Sequence, residues 1–364
     1  MKLALALAGV LVLTAAQGQG RPQLSAERAA AHTVAAYLAD WQPAPLADLG
    51  AATPDLVVRP GDSLQAAIDA VPAAGASSRR WVVQLLPGVY RERVCIRGKA
   101  PLALAGSPLD PGAVVIVDGR YNAQPKPEGQ PAHPCQPDLH TSTHGTPGSS
   151  TVMVFSDDVQ LLHLTIANDA LDGVRQGQGY PPGAGEAGGA QAVALTVAGD
   201  RIQLDGVRLL GHQDTFFARR PEPGRAGRVL VRHSLIAGDV DFIFGDATLV
   251  VQHSTVLSRT GRRTPGERGI VLAPSTAAGQ PQGFLVTDSR LIAEPGVAPG
   301  SVALGRAWDA GVKPGTWQAG TSPNGHALVR DSELGAHLAP WVASTSRRPF
   351  DPATNRLAEF NNRP

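Results

Sequence analysis

Val231-Arg232-His233-Ser234-Leu235-Ile236 is echoed by Val251-Gln252-His253-Ser254-Thr255-Val256, by Val286-Thr287-Asp288-Ser289-Arg290-Leu291 and by Val329-Arg330-Asp331-Ser332-Glu333-Leu334. Leu204-Asp205-Gly206-Val207-Arg208-Leu209 is a looser copy, and Leu161-Leu162-His163-Leu164-Thr165-Ile166 an earlier one. The unit reads apolar, any residue, Asp or His, Ser, any residue, apolar. It returns at intervals of roughly twenty to just over forty residues, as stacked coils with a fixed core and variable loops would. Alternate apolar positions would face inward and polar ones outward. These features predict an all-β chain folded as a right-handed parallel β-helix. Blade and hairpin signals are weak, which disfavours a propeller or a sandwich. His233 and His253 share one slot of the unit and read as coil-turn residues rather than ligands.

Upstream, Trp81–Leu86, a Pro87-Gly88 turn and Arg91–Ile96 still read as strands. Before them, Gly61–Pro72 has the spacing of a short amphipathic helix. Asp62 or Ser63 can cap it, Pro72 ends it, and Leu64, Ala67, Ile68 and Val71 share one face. Such a capping helix can cover the open end of a sheet stack. The expected organisation is a signal peptide over 1–18, an N-terminal helical and Pro/Ala arm over 19–54, and a β-helix catalytic domain over 55–364. The signal consists of a positive start at Met1-Lys2, an apolar run from Leu3 to Leu13, and small residues at Thr14-Ala15-Ala16. That run is short for a membrane span. It implies export, to a periplasm or beyond. In an oxidising compartment the two cysteines, Cys95 and Cys135, can form one disulfide tying a strand to a loop; the alternative is two free thiols.

The net charge of +1 gives no strong field for nucleic acid or anionic lipid. Abundant Gly (41) and Pro (31) favour turns over long helices. Asp118–Ser150 is rich in Pro, Gly and His, and Gln176–Gly189 is rich in Gly. Both read as insertions, and long loops on a repeat scaffold often wall a groove. His133, His140 and His144 flank Cys135. The stretch lacks the glutamate of a zinc-peptidase motif, and Pro134 and Pro137 oppose a helix, so neither metal nor cofactor is expected. No nucleophile elbow, phosphate loop or dinucleotide fingerprint occurs.

Asp214, in Gly211–Thr215, and Asp241, in Gly238–Gly245, each follow the start of a repeat unit by about ten residues. Stacked strands would set them about 5 Å apart before side-chain reach. Carboxylates that close do not ionise independently. One stays an anion while the other holds a proton, which suits a nucleophile and a general acid.

Five ordered motifs, Gly88–Glu92, Gln191–Leu195, Gly211–Thr215, Gly238–Gly245 and Leu304–Trp308, resemble those of the pectin methylesterase family of carbohydrate esterases. Ser63–Pro72 is similar to that family's N-terminal cap and Leu357–Asn362 to its C-terminal end, so the resemblance covers roughly Asp55 onward. It implies that Asp241 is the nucleophile and that Asp214 is the general acid and later the base. It implies that Gln191 and Gln213 donate to the oxyanion, that Arg306 holds Asp241 ionised, and that Trp308 packs against sugar rings. Phe244, which reads as core or groove wall, and Phe217, in a Phe216-Phe217 pair where the family usually has a phenolic ring, are further candidates to bind substrate. Neutral amide donors stabilise an oxyanion without neutralising the nucleophile, each worth about 3 kcal/mol. The implied substrate is methyl-esterified homogalacturonan or its oligomers, hydrolysed to pectate and methanol without a cofactor; the sequence carries no clear oligomeric signal, and a monomer is assumed. Ala307 stands where the family often has proline. The long insertions resemble a bacterial branch also described as acyl-CoA thioesterases. A thioesterase or other esterase with the same site is therefore one rival reading, and a non-catalytic carbohydrate-binding β-helix is another. Asp239 and Asp246 read as turn residues, and Tyr90 and Glu92 as supports of an early coil.

Overall fold

In the computed structural model, which describes residues 21–50, 53–129, 133–136 and 140–364, each repeat unit forms the corner between two strands. The predicted signal peptide lies outside the described residues. The residue before each serine is left-handed, with φ of 49° at His233 and His253, 50° at Asp288 and 48° at Asp331. Asp and His tolerate that region better than most side chains, which explains the composition of the slot. The serine that follows is buried. Its hydroxyl donates to the carbonyl two residues back, Ser254 to Gln252 at 2.8 Å and Ser289 to Thr287 at 2.7 Å. The same oxygen accepts an N–H from the preceding coil: Ser234 to Ser254 at 3.2 Å, Ser254 to Ser289 at 3.1 Å, Ser289 to Ser332 at 3.1 Å. Each buried polar group thus has a partner, and the coils are pinned in register.

Among the described residues the coils build a right-handed parallel β-helix of three parallel sheets, one of ten strands and two of eight. Inward residues such as Leu161, Leu204, Val231, Val251 and Val286 stack in one row of the core. The expected capping helix spans Leu64–Ala70, and the Ser63 side chain accepts the Ala66 N–H. Its Leu64 and Ile68 close the N-terminal end of the core. Glu92 accepts from the Ser63 hydroxyl and from the amides of Leu64 and Gln65, so it serves this cap. The Tyr90 hydroxyl sits 2.9 Å from the Val58 carbonyl and 2.7 Å from that of Leu86, within the same first coils. Cys95, on the strand Val94–Arg97, and Cys135, in the first insertion, form a disulfide with a Cα–Cα distance of 5.7 Å.

Beyond its short helices Ala26–Ala30 and Val34–Leu38, the N-terminal arm is a strap laid along the outside of the ten-stranded sheet. One outward row there is largely apolar: Ala103, Gln160, Gln203, Leu230, Val250, Leu285 and Leu328 lie in register. Tyr37, Leu38 and Trp41 cover Leu230, Val250, Leu285 and Leu328. Leu46, Ala47 and Leu49 pack on Ala103, Ala105 and Leu162. Between them, Gln160 donates to the Pro45 carbonyl at 2.9 Å and accepts the Ala47 N–H at 3.0 Å, while Gln203 donates to the Ala44 carbonyl at 3.1 Å. At the far end Gln23 bridges to Glu359 of the last strand. Arg21 donates to the buried Glu359 carboxylate at 2.8 and 2.5 Å. Among the described residues no helix is long and apolar enough to cross a membrane.

Removing a large buried aromatic costs about 3–5 kcal/mol. Trp41→Ala should therefore lower the unfolding free energy in a urea titration by about 3 kcal/mol. An unchanged midpoint would show that the strap does not dock in solution.

Candidate active site

Two stacked corners carry the aspartates. Strand Leu235–Gly238 turns through Asp239-Val240-Asp241-Phe242 into Ile243–Gly245. One coil earlier, Arg208–Leu210 turns through Gly211-His212-Gln213-Asp214-Thr215 into Phe216–Ala218. The turns are hydrogen-bonded to each other: the amides of Asp214 and Phe216 donate to the carbonyls of Val240 and Phe242 at 3.0 and 2.9 Å. Gly238 is required there, because a Cβ would lie 2.6 Å from the His212 carbonyl oxygen and 2.2 Å from the Phe242 Cβ. Both aspartates are left-handed, with φ of 65° at Asp214 and 47° at Asp241. Such conformations persist only where the surroundings hold them. Here the buried Thr215 hydroxyl bonds the Ala237 carbonyl at 2.9 Å, and Phe242 is locked in the core.

The two carboxyl groups have different company. Arg306, which follows strand Val302–Gly305, grips Asp241 in a fork: Nε to Oδ1 at 3.0 Å and Nη2 to Oδ2 at 2.5 Å. Among the described residues Asp214 has no such ion pair. Burial pushes its carboxyl well above the usual carboxylate range, and the Asp241 anion adds to the effect; Arg306 offsets it only in part. The two carboxyl groups therefore differ in company: a guanidinium holds Asp241, while burial and the neighbouring carboxylate favour the protonated form of Asp214.

All eight residues singled out in the sequence line one groove of about 930 Å³: Gln191, Gln213, Asp214, Phe217, Asp241, Phe244, Arg306 and Trp308. Phe217 and Phe244 are register partners on adjacent strands and stack at 4.3 Å. Trp308 meets both edge-on, at 5.9 and 5.5 Å. The Oε1 of Gln191 is buried with no partner among the described residues. Both insertions supply walls, through Thr146 and Pro147 and through Glu186, Ala187 and Gly188.

Sequence reasoning missed Arg219, Arg263 and Arg268, which line the same groove; Arg263 is paired there with Glu186 at 3.3 Å and Glu267 at 3.0 Å. Arg219 was within reach of it: two residues past Phe217, it shares that strand's outward face. Its guanidinium lies 5.5 Å from the Phe217 ring centre. Asp246, read as a turn residue, pairs with Arg220 at 3.1 Å and also lines the groove. Among the described residues no group of three or more His, Cys, Asp or Glu is placed to hold a metal ion.

A family model for Pectinesterase matches residues 161–311. A pectinesterase of Ralstonia solanacearum is 34% identical over 96% of this chain and 92% of its own length. YbhC of Escherichia coli (strain K12), provisionally named an acyl-CoA thioester hydrolase, is 30% identical over 100% of this chain and 96% of its own. The crystal structure of Escherichia coli YbhC superposes with a TM-score of 0.81 at 27% identity, covering 99% of each chain. A pectin methylesterase solved in complex with a hexasaccharide superposes with a TM-score of 0.69 at 26% identity, covering 86% of this chain and 90% of that one.

The Asp214 proton has a thermodynamic signature. From the ordinary carboxylate range upward, the unfolded chain releases this proton while the folded one keeps it. Stability is lost as pH rises through that window, up to the raised folded pKa. Asp214→Asn should lift this penalty, raising the melting temperature at pH 7 by about 2 °C or more while leaving it near wild type at pH 3. Calorimetry at both pH values checks this, and an equal change at the two would contradict it.

Proposed function

The chain belongs to the pectinesterase family of carboxylic ester hydrolases, and from that premise we propose that it hydrolyses the methyl esters of homogalacturonan or its oligomers, leaving carboxylates and releasing methanol. One observation carries this reading. An arginine-held aspartate and a buried aspartate with no ion-pair partner among the described residues sit on consecutive coils and line one groove with arginines and stacked aromatics. Aromatic faces suit the apolar faces of sugar rings. The arginines suit the carboxylates that accumulate along a demethylated chain.

In the proposed sequence, an Asp241 carboxylate oxygen attacks the ester carbonyl carbon. The oxyanion that forms is met by the side-chain amides of Gln191 and Gln213. As the tetrahedral species collapses, the C–O bond to methoxide breaks, and Asp214 gives its proton to the leaving oxygen. Methanol departs, leaving an anhydride between Asp241 and the galacturonate carbonyl. Asp214, now an anion, takes a proton from water as that water attacks the anhydride carbonyl. Collapse frees the galacturonate and restores both aspartates. One negative charge is conserved in the site: it starts on Asp241, passes to the oxyanion in each tetrahedral species, and rests on Asp214 while the anhydride stands. The Arg306 fork holds Asp241 in one orientation for attack.

The export signal over 1–18 and the Cys95–Cys135 disulfide support a periplasmic or secreted enzyme. In this reading the catalytic domain is 55–364 and acts as a monomer, with the 19–54 arm strapped to it. The relation to YbhC favours one second reading, attack by the same aspartates on an acyl thioester.

Methanol release from highly methylated pectin should fall below detection in Asp241→Ala, and Gln191→Ala should lose about 100-fold in kcat. Wild-type protein that releases no methanol from pectin or its short oligomers, yet frees thiol from acyl thioesters, would move the assignment to the second reading.

A further inference from the structure

Behind the two aspartates lies a set of buried charges that the proposed chemistry does not use. His212 precedes Asp214 by two residues, and Asp239 precedes Asp241 by two. Their side chains meet, His212 Nδ1 lying 3.3 Å from Asp239 Oδ2, while His212 Nε2 lies 3.1 Å from Asp172 Oδ1. Arg262 forks onto Asp239, Nη2 reaching Oδ1 at 2.7 Å and Nε bonding Oδ2. Its Nη1 donates to the Tyr180 hydroxyl at 2.8 Å. The three central residues are almost inaccessible: Arg262 is 2% exposed, His212 3% and Asp239 4%. The reading of Asp239 as a simple turn residue is thus incomplete.

We propose that His212, Asp239 and Arg262 are positioning residues, a rear clamp that holds the two catalytic turns in register and locks the second insertion to them. The inference rests on Asp214 and Asp241 being the reacting pair.

Two observations carry it. The first is where the clamp sits. Replacing a buried ion pair by apolar residues is often neutral or stabilising, so the burial of this pair does not by itself account for its presence. Here the fixed geometry is that of the two left-handed aspartate turns, which the His212–Asp239 contact crosslinks from behind. The second is continuity with the groove wall. Tyr180 lies in the second insertion and Asp172 just before it. The amides of Gln176 and Gly177 donate to the carbonyls of Gly261 and Arg262 at 2.8 and 2.7 Å. Further along the same loop, Glu186, Ala187 and Gly188 line the groove. One buried guanidinium therefore joins the wall to the back of the catalytic turns.

The charges around Asp214 give the clamp a readable signature. Asp241 and Arg306 face it in front, and Asp239 and Arg262 act from behind. Asp239 raises the Asp214 carboxyl and Arg262 lowers it. Around the clamp itself, Arg259 stands 3.6 Å from Asp172, and Tyr180 and Glu186 act on Arg262.

The test is a ¹³C-carboxyl titration of Asp214, assigned through Asp214→Asn, alongside kcat and KM on methylated pectin. Asp239→Asn should move the Asp214 titration down in pH, and Arg262→Gln should move it up. Each should lower kcat about tenfold or more with KM changed less, since displacing a positioned group acts on the chemical step. Opposite shifts from two partners of one ion pair are not what general loosening yields. An Asp214 titration unmoved in both variants, with kcat kept and only the melting temperature lowered, would overturn the clamp. If neither charge variant folds, Arg262→Lys decides, because it keeps the charge and loses the fork. Wild-type kcat in that variant overturns the proposal, and a several-fold loss at unchanged folded fraction supports it. The titration needs no substrate, so wild-type protein inactive on pectin would count against the proposed function while the clamp is still judged.

Discussion

Each corner serine oxygen serves two coils at once, donating to its own strand and accepting from the coil before, and the rest of the molecule depends on this. An oxygen so committed leaves no freedom for one coil to slip against the next. A slip of one residue would turn every inward side chain of that coil outward. With the register fixed, residues far apart in sequence become vertical neighbours. Phe217 stacks on Phe244 at 4.3 Å because their strands are held in step. Asp214 lies beside Asp241 for the same reason, since the amide of one turn bonds the carbonyl of the other.

On that frame the two aspartates become unlike through their surroundings alone. Both are aspartates at equivalent corners with similar backbone angles. Arg306 arrives from two coils further on and reaches only Asp241 as an ion-pair partner. Asp214 is left with burial and a neighbouring anion, and both oppose its ionisation. A fold that repeats its geometry thus obtains two chemical roles from one residue type by placing a single guanidinium off centre.

Much of this was legible in the sequence, because repeat units and catalytic motifs are local. The corner slot of Asp or His before Ser declared itself through recurrence. The capping helix declared itself through Ser63, its apolar spacing and Pro72. Seven of the eight candidate site residues sit in short motifs and Phe217 lies two residues past one, so stacking of the coils brings all eight to one groove. The strap was less legible. Its own helices are five residues each, and its docking row is scattered over seven strands, one outward position from each. The rear network was hidden for a related reason: Arg262 and Tyr180 lie on loops outside any recognised motif. One signal did exist. The two-residue offset of His212 from Asp214 repeats in Asp239 and Asp241, and a shared offset in stacked coils means a shared contact.

The strap also changes what kind of object this solenoid is. A stack of coils that touch only their neighbours can fray from either end, one unit at a time. Here the segment at 21–24 is fastened to Glu359 in the final strand, and the segment at 44–49 lies against the early coils. The ends of the array are coupled through a second route that runs outside the stack, across the middle coils. Melting the last coil therefore releases the strap, and releasing the strap uncovers apolar positions on many coils together. The strap thus adds contacts between coils that are not neighbours in the stack. The order of assembly follows as well: the first part of the strap to be synthesised has no docking site until the last strand is in place.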